Sequence, residues 1–349
     1  MNSLQEIFQQ ALELKASDVH LLTNEPPIFR IDGVLIRQTK FPTLSSQDII
    51  NLTMPLVDKK QKIKIFNNKE LDLSLELDHF ARFRINLYWE KNNLALAARI
   101  IWPHVPTMEE ITMPPITKEL TKLHNGLIIV TGPTGCGKST TLAAMIDYIN
   151  QTRTCNIITL EDPIEFVFKP AKSIISQREL GKDMISFDDA LKHIVRQDPN
   201  VIMVGEMRDL ETMSLALTLA ETGHLILATL HTPNAPQTID RIIDVFPPHQ
   251  QTQIRLQLAL ALRAVIAQHL LPLKKGGRIA AREVLINDSA VSNLIRENKI
   301  NQLKSALQTG SQEGMISMEQ SLNYLLRQGL ITREVALAHT LYPELIIKA

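Results

Sequence analysis

Apolar positions in the first hundred residues follow a helical period and then an alternating one. Over residues 2–15 the apolar side chains recur at helical spacing, which predicts a first helix. The runs IFRI and VLIR, joined by Asp32 and Gly33, predict a β-hairpin with a two-residue turn. Three later runs, LDLSLEL, ARFRINLYW and NLALAARII, alternate as half-buried strands do. We therefore predict a first domain of mixed α and β structure over residues 1–101.

A cluster of prolines ends this first pattern. Four of them, Pro103, Pro106, Pro114 and Pro115, fall close together. Because proline interrupts helices and central strands alike, we predict a Pro-rich linker at residues 102–116.

Beyond the linker, short runs are apolar at every position. LIIV, NIITL, VIMVG and LILATL are typical of parallel strands buried on both faces, and helical segments separate them. We predict an α/β core at residues 117–279 and a mainly helical C-terminal region at residues 280–349. The longest apolar segment, residues 256–271, contains polar side chains and predicts an amphipathic helix rather than a bilayer span.

Charge and cysteine content disfavour nucleic-acid binders, zinc proteins and disulfide-rich secreted proteins. The 349 residues include 37 lysines and arginines and 37 aspartates and glutamates, so the net charge is near zero. Dedicated nucleic-acid binders usually carry a basic excess, and we expect no direct nucleic-acid partner. The two cysteines form no CxxC pair, which disfavours a zinc site or a disulfide framework and favours a reducing cytoplasm. The N-terminus lacks the pattern of a signal peptide.

One segment carries a phosphate-binding pattern. Residues 132–139 fit GxxxxGK[ST] and lie between an apolar strand and a helical segment, as the pattern requires. Glycines let backbone N–H groups curve around a polyphosphate, and the helix N-terminus adds its positive dipole. Lys138 is expected to reach the β- and γ-phosphates, and Ser139 to ligate Mg²⁺. We predict that ATP and Mg²⁺ bind here, at Gly132, Pro133, Thr134, Gly135, Cys136, Gly137, Lys138, Ser139 and Thr140.

Carboxylates follow two of the buried strands. Glu206 ends the run VIMVGE, where a single glutamate is suited to orient or deprotonate the attacking water. TLEDPIEF places Glu161, Asp162 and Glu165 after another strand, at the edge where open α/β sheets bind ligands. We predict catalytic roles for Glu206 and Glu161, with an ordinary acidic loop as the alternative for the second segment.

Two histidines and one cysteine complete the candidate chemistry. His224 and His231 flank the run LILATL, and two histidines on one strand favour phosphate sensing over a purely structural role. We predict a catalytic role for His231 and nucleotide binding by His224. Cys136, near a helix N-terminus, prompts the hypothesis of a lowered thiol pKa and alkylation that nucleotide prevents. The alternative is a small residue that the loop tolerates.

Taken together, these segments resemble the secretion ATPase superfamily, whose members drive type IV pili and type II and type IV secretion. GPTGCGKST, TLEDPIEF, VGEMRD and TGHLILATLHT are similar to its Walker A, Asp box, Walker B and His box, in that order. ASDVHL resembles its N-terminal signature and AVSNLIRENK its C-terminal one, with Ser292 in place of an arginine. The resemblance covers almost the whole chain. It implies an N-terminal mixed α/β, PAS-like domain, then a RecA-like P-loop ATPase domain with a helical C-terminal region.

The resemblance also implies an assembly. Members of the family work as hexamers with ATP between subunits, and arginines of the N-terminal domain help to complete each site. Arg84 and Arg99 match those positions, and we predict catalytic roles for both. Arg82 is a second candidate, since alternate residues of a strand share a face. Solvent-exposed strand cations are the alternative.

Two absences favour the pilus retraction branch of the family: this chain has neither a four-cysteine zinc motif nor a longer N-terminal region. We therefore expect a cytoplasmic homohexameric motor, docked peripherally on an inner-membrane pilus platform protein, whose ATP hydrolysis drives pilin disassembly and twitching motility. A paralogous retraction ATPase is a further candidate partner. The alternatives are an accessory retraction ATPase, a type II or type IV secretion ATPase, and a regulatory nucleotide-binding module with little turnover.

Overall fold

The chain divides into two compact units, Met1–His104 and Val105–Ala349. A computed structural model describes residues 3–31, 33–77, 81–101 and 104–347. Each unit has its own sheet and its own hydrophobic core.

In the part of the chain that the structure describes, the first unit is a six-stranded antiparallel sheet with three α-helices. Its elements are α1 (Leu4–Glu13), β1 (Asp18–Leu21), β2 (Ile28–Ile31), β3 (Val34–Arg37), α2 (Ser46–Thr53), α3 (Lys59–Asn68), β4 (Glu70–Leu77), β5 (Ala81–Glu90) and β6 (Asn93–Ile101). The strand order is β3-β2-β1-β6-β5-β4. The predicted hairpin is confirmed by the pairing of Ile31 with Val34, although Asp32 lies outside the described residues.

One face of this sheet forms the core of the first unit. Phe83 and Ile85 of β5 are fully buried, and the ring of Phe83 stacks on that of Phe8 with centroids 4.1 Å apart. Because side chains alternate along a strand, Arg84 lies on the opposite, exposed face. Arg82 shares that face and is half-buried.

The second unit contains the predicted parallel sheet. Its elements are α4 (Ile116–Lys122), β7 (Gly126–Thr131), α5 (Lys138–Thr152), β8 (Asn156–Glu161), β9 (Ile174–Glu179), α6 (Phe187–Ile194), β10 (Val201–Val204), α7 (Leu210–Glu221), β11 (Leu225–Leu230), α8 (Ala235–Asp244), α9 (Pro248–Ala261), β12 (Leu262–Pro272), β13 (Arg278–Ile286), α10 (Ser289–Arg296), α11 (Leu303–Thr309), α12 (Met318–Arg327) and α13 (Arg333–Ala338).

Both faces of this second sheet are buried. The strand order is β13-β12-β7-β11-β10-β8-β9, with every neighbouring pair parallel except β12 and β13. Leu127 and Ile129 pack into the core on one face, and Ile128 and Val130 into the core on the other. This double burial explains why the strand sequences are apolar at every position. The predicted α/β class is confirmed.

The predicted amphipathic helix over residues 256–271 is wrong in its second half. Helix α9 ends at Ala261, and the chain continues directly as β12 beside the central strand β7. Val265 and Ile266 are fully buried in cores on opposite faces of the sheet. Periodicity alone does not separate such an inner strand from a buried helix. No helix within the described ranges is long and apolar enough to cross a membrane.

The C-terminal region also begins differently from the prediction. Residues 278–286 form β13, which extends the sheet, and the C-terminal helices start only at Ser289. Arg282 and Glu283 obscure this strand in the sequence because both are charged, yet both are buried.

Most of the predicted linker packs onto the second unit. Met108 is buried in a core of that unit, and Arg282 Nη1 donates to the carbonyl oxygens of Ile111 (2.9 Å) and Thr112 (3.2 Å). The prolines exclude regular secondary structure here, but they do not prevent close packing.

A cavity of about 290 Å³ lies beside the start of α8 and the C-terminal helices. Its floor includes Glu283, whose Oε1 accepts from the backbone N–H of Ala235 at 2.8 Å. Burial raises the pKa of Glu283 to about 7, and the nearby charge of Glu319 acts in the same direction. The titratable side chains lining the cavity are His269, Glu283, Lys304, Glu319, His339 and Tyr342.

We expect Glu283→Gln to be more stable than wild type above pH 7, with a difference that shrinks as the pH falls. A carboxyl whose pKa is raised from 4.5 to about 7 on folding holds its proton more tightly in the folded state. Wild-type stability therefore falls as pH rises through this window, by at most about 3 kcal/mol. Glutamine keeps the acceptor for Ala235. The free energy of unfolding, measured against pH for wild type, Glu283→Gln and the exposed control Glu313→Gln, tests this. A gain equal at all pH values would contradict it.

Candidate active site

The P-loop joins the end of β7 to the start of α5. Its glycines Gly132, Gly135 and Gly137 all have positive φ (141°, 78° and 90°), where other residues are strained. A Cβ atom on Gly132 would also lie 2.3 Å from the backbone oxygen of Gln268. Glycine is therefore required at the first position by both conformation and space.

The predicted nucleotide-binding residues around this loop differ in exposure. Three of them, at the outer turn, are open to solvent: Pro133, Thr134 and Gly135. Ser139 and Thr140 are half-buried in the first turn of α5. The outer turn is thus accessible to a phosphate chain, while one end of the loop is fixed by β7 and the other continues into α5.

Lys138 places its ammonium group inside the P-loop. Nζ donates to the carbonyl oxygens of Gly132 (2.8 Å) and Pro133 (3.1 Å), and it lies 3.3 Å from Nδ1 of His231. Burial lowers the pKa of Lys138, and the charges of nearby acidic groups, including Glu206, oppose that effect.

Lys138, His231 and Glu206 form a continuous polar chain that ends at Arg208. His231 Nε2 lies 3.1 Å from Glu206 Oε1, and Arg208 Nη2 lies 2.7 Å from Glu206 Oε2. Because the ammonium group only donates and the carboxylate only accepts, Nδ1 of His231 is the acceptor and Nε2 the donor in these two contacts. Burial raises the pKa of Glu206, but Arg208 and His231 outweigh it and hold that pKa below its usual value. Glu206 is thus an ionised, partly exposed carboxylate.

Sheet topology explains why these residues meet. Strands β7, β11 and β10 are parallel neighbours, so their carboxyl ends reach the same edge of the sheet. Thr131 Oγ1, at the end of β7, accepts from the backbone N–H of Thr232 at 3.0 Å. The Thr229 hydroxyl donates to the Gly205 carbonyl, beside Glu206. These bonds fix the segments that carry His231 and Glu206 relative to the P-loop.

Glu161 does not face this polar chain. It is buried at the end of β8, where Oε1 accepts from Thr159 Oγ1 (2.6 Å) and Gln177 Nε2 (3.1 Å). Burial raises its pKa although these bonds oppose the shift. These hydrogen bonds hold the carboxyl group in the interior of the fold, so this placement does not support the predicted catalytic role. Glu165, exposed in the following loop, is the carboxylate of this segment whose charge acts on Lys138.

His224 lies at the other edge of the sheet. Its carbonyl accepts from the N–H of Gly126, the first residue of β7, and its Nδ1 lies 3.0 Å from the Leu219 carbonyl oxygen. The P-loop follows the opposite end of β7, so a strand of about 20 Å separates the two. The structure therefore does not bring His224 to the nucleotide site of its own chain.

The hypothesis of a reactive Cys136 is contradicted. The residue is buried, and burial raises the pKa of its thiol, against the opposing charge of Lys138. Desolvation thus outweighs the charge of Lys138 and the hydrogen bonds to this thiol.

The predicted arginines of the first unit lie opposite each other. Arg84 of β5 pairs in register with Arg99 of β6. Arg99 donates to Asp18 (3.1 Å), and that carboxylate also lies 3.5 Å from Arg30. Arg84 forms no ion pair with a carboxylate of the described residues and is exposed. Arg84 is therefore better placed than Arg99 to engage an external anion.

Three residues around the P-loop and the polar chain had no role assigned from the sequence. Arg208 and Glu165 stood inside segments already recognised, VGEMRD and TLEDPIEF, so the signal was present but unassigned. Gln268 contacts the P-loop from β12, and the helix predicted there concealed it.

Comparisons with known proteins identify the family of the chain. The family model described as "Type II/IV secretion system protein" matches residues 1–336. The "Type IV pilus retractation ATPase PilT" of Pseudomonas aeruginosa is 45% identical over 329 residues, 94% of this chain and 95% of that protein. The "Type IV pilus ATPase PilU" of the same bacterium is 39% identical over 336 residues, 96% of this chain and 88% of that protein.

Among solved structures, the crystal structure of the pilus retraction motor PilT with bound ADP aligns with a TM-score of 0.93 and 46% identity. The alignment covers 99% of this chain and 98% of that one. The chain therefore belongs to the type II/IV secretion system protein family, and it is an ATPase.

Proposed function

We propose that the chain is a homohexameric motor that hydrolyses ATP to retract type IV pili, with pilin disassembly and twitching motility as its outputs. The observation that carries this proposal is the similarity to a pilus retraction ATPase over 94% of the chain, which includes both units and not only the P-loop. In this proposal the motor works in the cytoplasm, docked peripherally on an inner-membrane platform protein. A paralogous retraction ATPase is a further candidate partner.

The residues around the P-loop fit a Mg²⁺ ion that binds together with ATP. Among the described residues, no three His, Cys, Asp or Glu side chains are grouped so as to hold a metal ion. Mg²⁺ with ATP needs no such group, since phosphates and water supply most of its ligands. Ser139, the second residue of α5, would contribute its hydroxyl. When bound, Mg²⁺ would neutralise charge on the β- and γ-phosphates.

Glu206 supplies the base in the proposed mechanism. Its carboxylate orients the water that attacks the γ-phosphorus and takes one proton as the bond to the β-γ bridging oxygen breaks. His231 holds one carboxylate oxygen through Nε2, and Lys138 exchanges its loop carbonyls for phosphate oxygens. Because His231 contacts both Lys138 and Glu206, it links phosphate contact to the orientation of the base.

Arg84 is the proposed contribution of a neighbouring subunit. An arginine presented in trans stabilises charge that develops on the transferred phosphoryl group, and it couples hydrolysis to the position of that neighbour. Arg84 suits this role because it carries no ion pair within the described ranges, whereas Arg99, which is also exposed, is bound by Asp18.

Deletion of the gene in its own host tests the biological assignment. Loss of twitching with surface pili retained is the result expected of a retraction motor. Loss of pili would instead identify an extension motor, and loss of an exported protein a secretion ATPase. An accessory retraction role is the second candidate, favoured by the 39% identity to PilU. It predicts residual twitching in the deletion strain.

Mixing two inactive variants tests the shared site. Glu206→Gln removes the base from its own site, and Arg84→Ala removes the cation from its neighbour's site. If sites are shared, rings formed from a one-to-one mixture regain about a quarter of their sites, since base and arginine are each present half of the time. ATPase activity of mixed and unmixed rings is the measurement. Arg37→Ala, an exposed arginine paired with Glu25, is the control. No recovery on mixing, with both variants inactive alone, would exclude Arg84 in trans.

A further inference from the structure

Gln268 of β12 lies directly against the P-loop. Its side chain is buried, with 1% of the residue exposed. Nε2 donates to the carbonyl oxygen of Cys136 at 2.7 Å, and Oε1 accepts from the Thr141 hydroxyl at 2.8 Å. Because a carbonyl only accepts, the contact with Cys136 fixes which end of the amide points each way. The Thr141 hydroxyl must then be the donor in the second bond.

These contacts touch the phosphate-binding segment at three points. The side chain of Gln268 binds the loop just before its end, at Cys136, and the first turn of α5, at Thr141. Its backbone oxygen is the closest obstacle to a side chain at Gly132, where the loop starts. Lys138 lies between the two hydrogen-bonded positions. One residue of a buried strand thus spans the segment that must curve around the phosphates.

We propose that Gln268 is a positioning residue for nucleotide binding, which holds the P-loop in its phosphate-binding curvature before the nucleotide arrives. Both polar atoms of its side-chain amide are already hydrogen-bonded, Nε2 to the loop and Oε1 to α5. It therefore acts through the backbone N–H groups and Lys138 rather than by touching phosphate. A loop held in its bound shape loses less conformational freedom on binding, and this raises affinity without a new contact.

Gln268→Leu keeps the approximate volume and removes both hydrogen bonds. We expect it to weaken ADP binding and to raise KM for ATP by roughly tenfold, the effect of one or two lost buried hydrogen bonds. We expect kcat at saturating ATP to fall much less. The measurements are the equilibrium Kd for ADP, the steady-state constants of the full-length ATPase, and Tm without nucleotide.

Val265→Ala is the matched control for general destabilisation. Val265 lies on the same strand, and its side chain is buried in the core on the opposite face. We expect this variant to lower Tm while leaving the Kd for ADP close to wild type. If Gln268→Leu lowered Tm but weakened ADP binding no more than Val265→Ala does, Gln268 would be only a structural residue and the proposal would be overturned.

Thr141 provides an independent test if Gln268→Leu does not fold. Thr141→Val removes the hydroxyl that Oε1 of Gln268 accepts from, whereas Thr141→Ser keeps it. We expect the valine variant to bind ADP several-fold more weakly than the serine variant, and equal affinities would overturn the proposal. The outcome concerns nucleotide binding alone and leaves the assignment to pilus retraction unaffected.

Discussion

Glu206→Gln should reduce kcat by about 10² to 10⁴-fold, the usual contribution of a general base, while nucleotide affinity stays near that of wild type. Glutamine has nearly the same shape and still accepts the hydrogen bond from His231 Nε2, which lies 3.1 Å from Oε1. It cannot take a proton from water, and it gives up the ion pair with Arg208. The substitution should therefore slow the hydrolysis step and leave nucleotide binding unchanged.

Single-turnover hydrolysis and equilibrium ADP binding separate these two effects for Glu206→Gln. Glu211→Gln, which removes an exposed carboxylate five residues along the chain, is the control and should hydrolyse ATP normally. Near-normal turnover by Glu206→Gln would show that another group activates the water, and Glu165 would then be the first candidate because its charge acts on Lys138.

Gly132→Ala is expected to cost about 3 kcal/mol or more of stability and to abolish nucleotide binding. The residue has φ of 141°, and a Cβ would lie 2.3 Å from the Gln268 backbone oxygen and 2.7 Å from Cys136 Sγ. Strained backbone and overpacking each cost roughly 1–3 kcal/mol. The obstacle is the backbone of an inner strand with a neighbour on each side, so it cannot move aside easily. The P-loop must shift instead.

A second glycine of the same loop gives the comparison for Gly132→Ala. Gly135 also has positive φ (78°), but a Cβ there would meet no atom within 4 Å. Gly135→Ala should therefore cost only about 1 kcal/mol, the penalty of the left-handed backbone alone. Thermal unfolding without nucleotide is the measurement for both variants. Equal losses would show that the approach to β12 does not matter.

The sequence was sufficient to predict which strand ends lie together at one edge of the sheet. Gly132, Lys138, Glu206 and His231 all follow buried strands, and parallel strands place their carboxyl ends together, so topology alone assembles them. Sequence does not show which way a side chain points after a strand ends. Glu161 was therefore preferred over Glu165, although hydrogen bonds from Thr159 and Gln177 hold Glu161 in the interior.

Strand β12 shows why the rest could not be predicted. Its polar residues suggested the wet face of a helix, yet each has a partner distant in the chain. Arg263 donates to Asn125 at 2.9 Å, and Gln268 binds the P-loop. Because such partners are far apart in sequence, local periodicity cannot reveal that these side chains belong to a strand. His224 lies away from the P-loop of its own chain for a simpler reason, since the two ends of one strand lie at opposite edges of the sheet.

The β12–β13 hairpin has a mechanical consequence. Gln268 and Arg282 are direct cross-strand partners, so their side chains lie on one face of the sheet. Gln268 donates a hydrogen bond to the P-loop. Arg282 donates to the carbonyls of Ile111 and Thr112, which lie in the segment where the chain enters the second unit. In the proposed motor, a tensile load on that entry segment would act on Arg282. Only the pairing of Arg282 with Gln268 separates it from the phosphate-binding loop. The hairpin of that motor would therefore carry load between the entry segment and the P-loop through a single pair of residues.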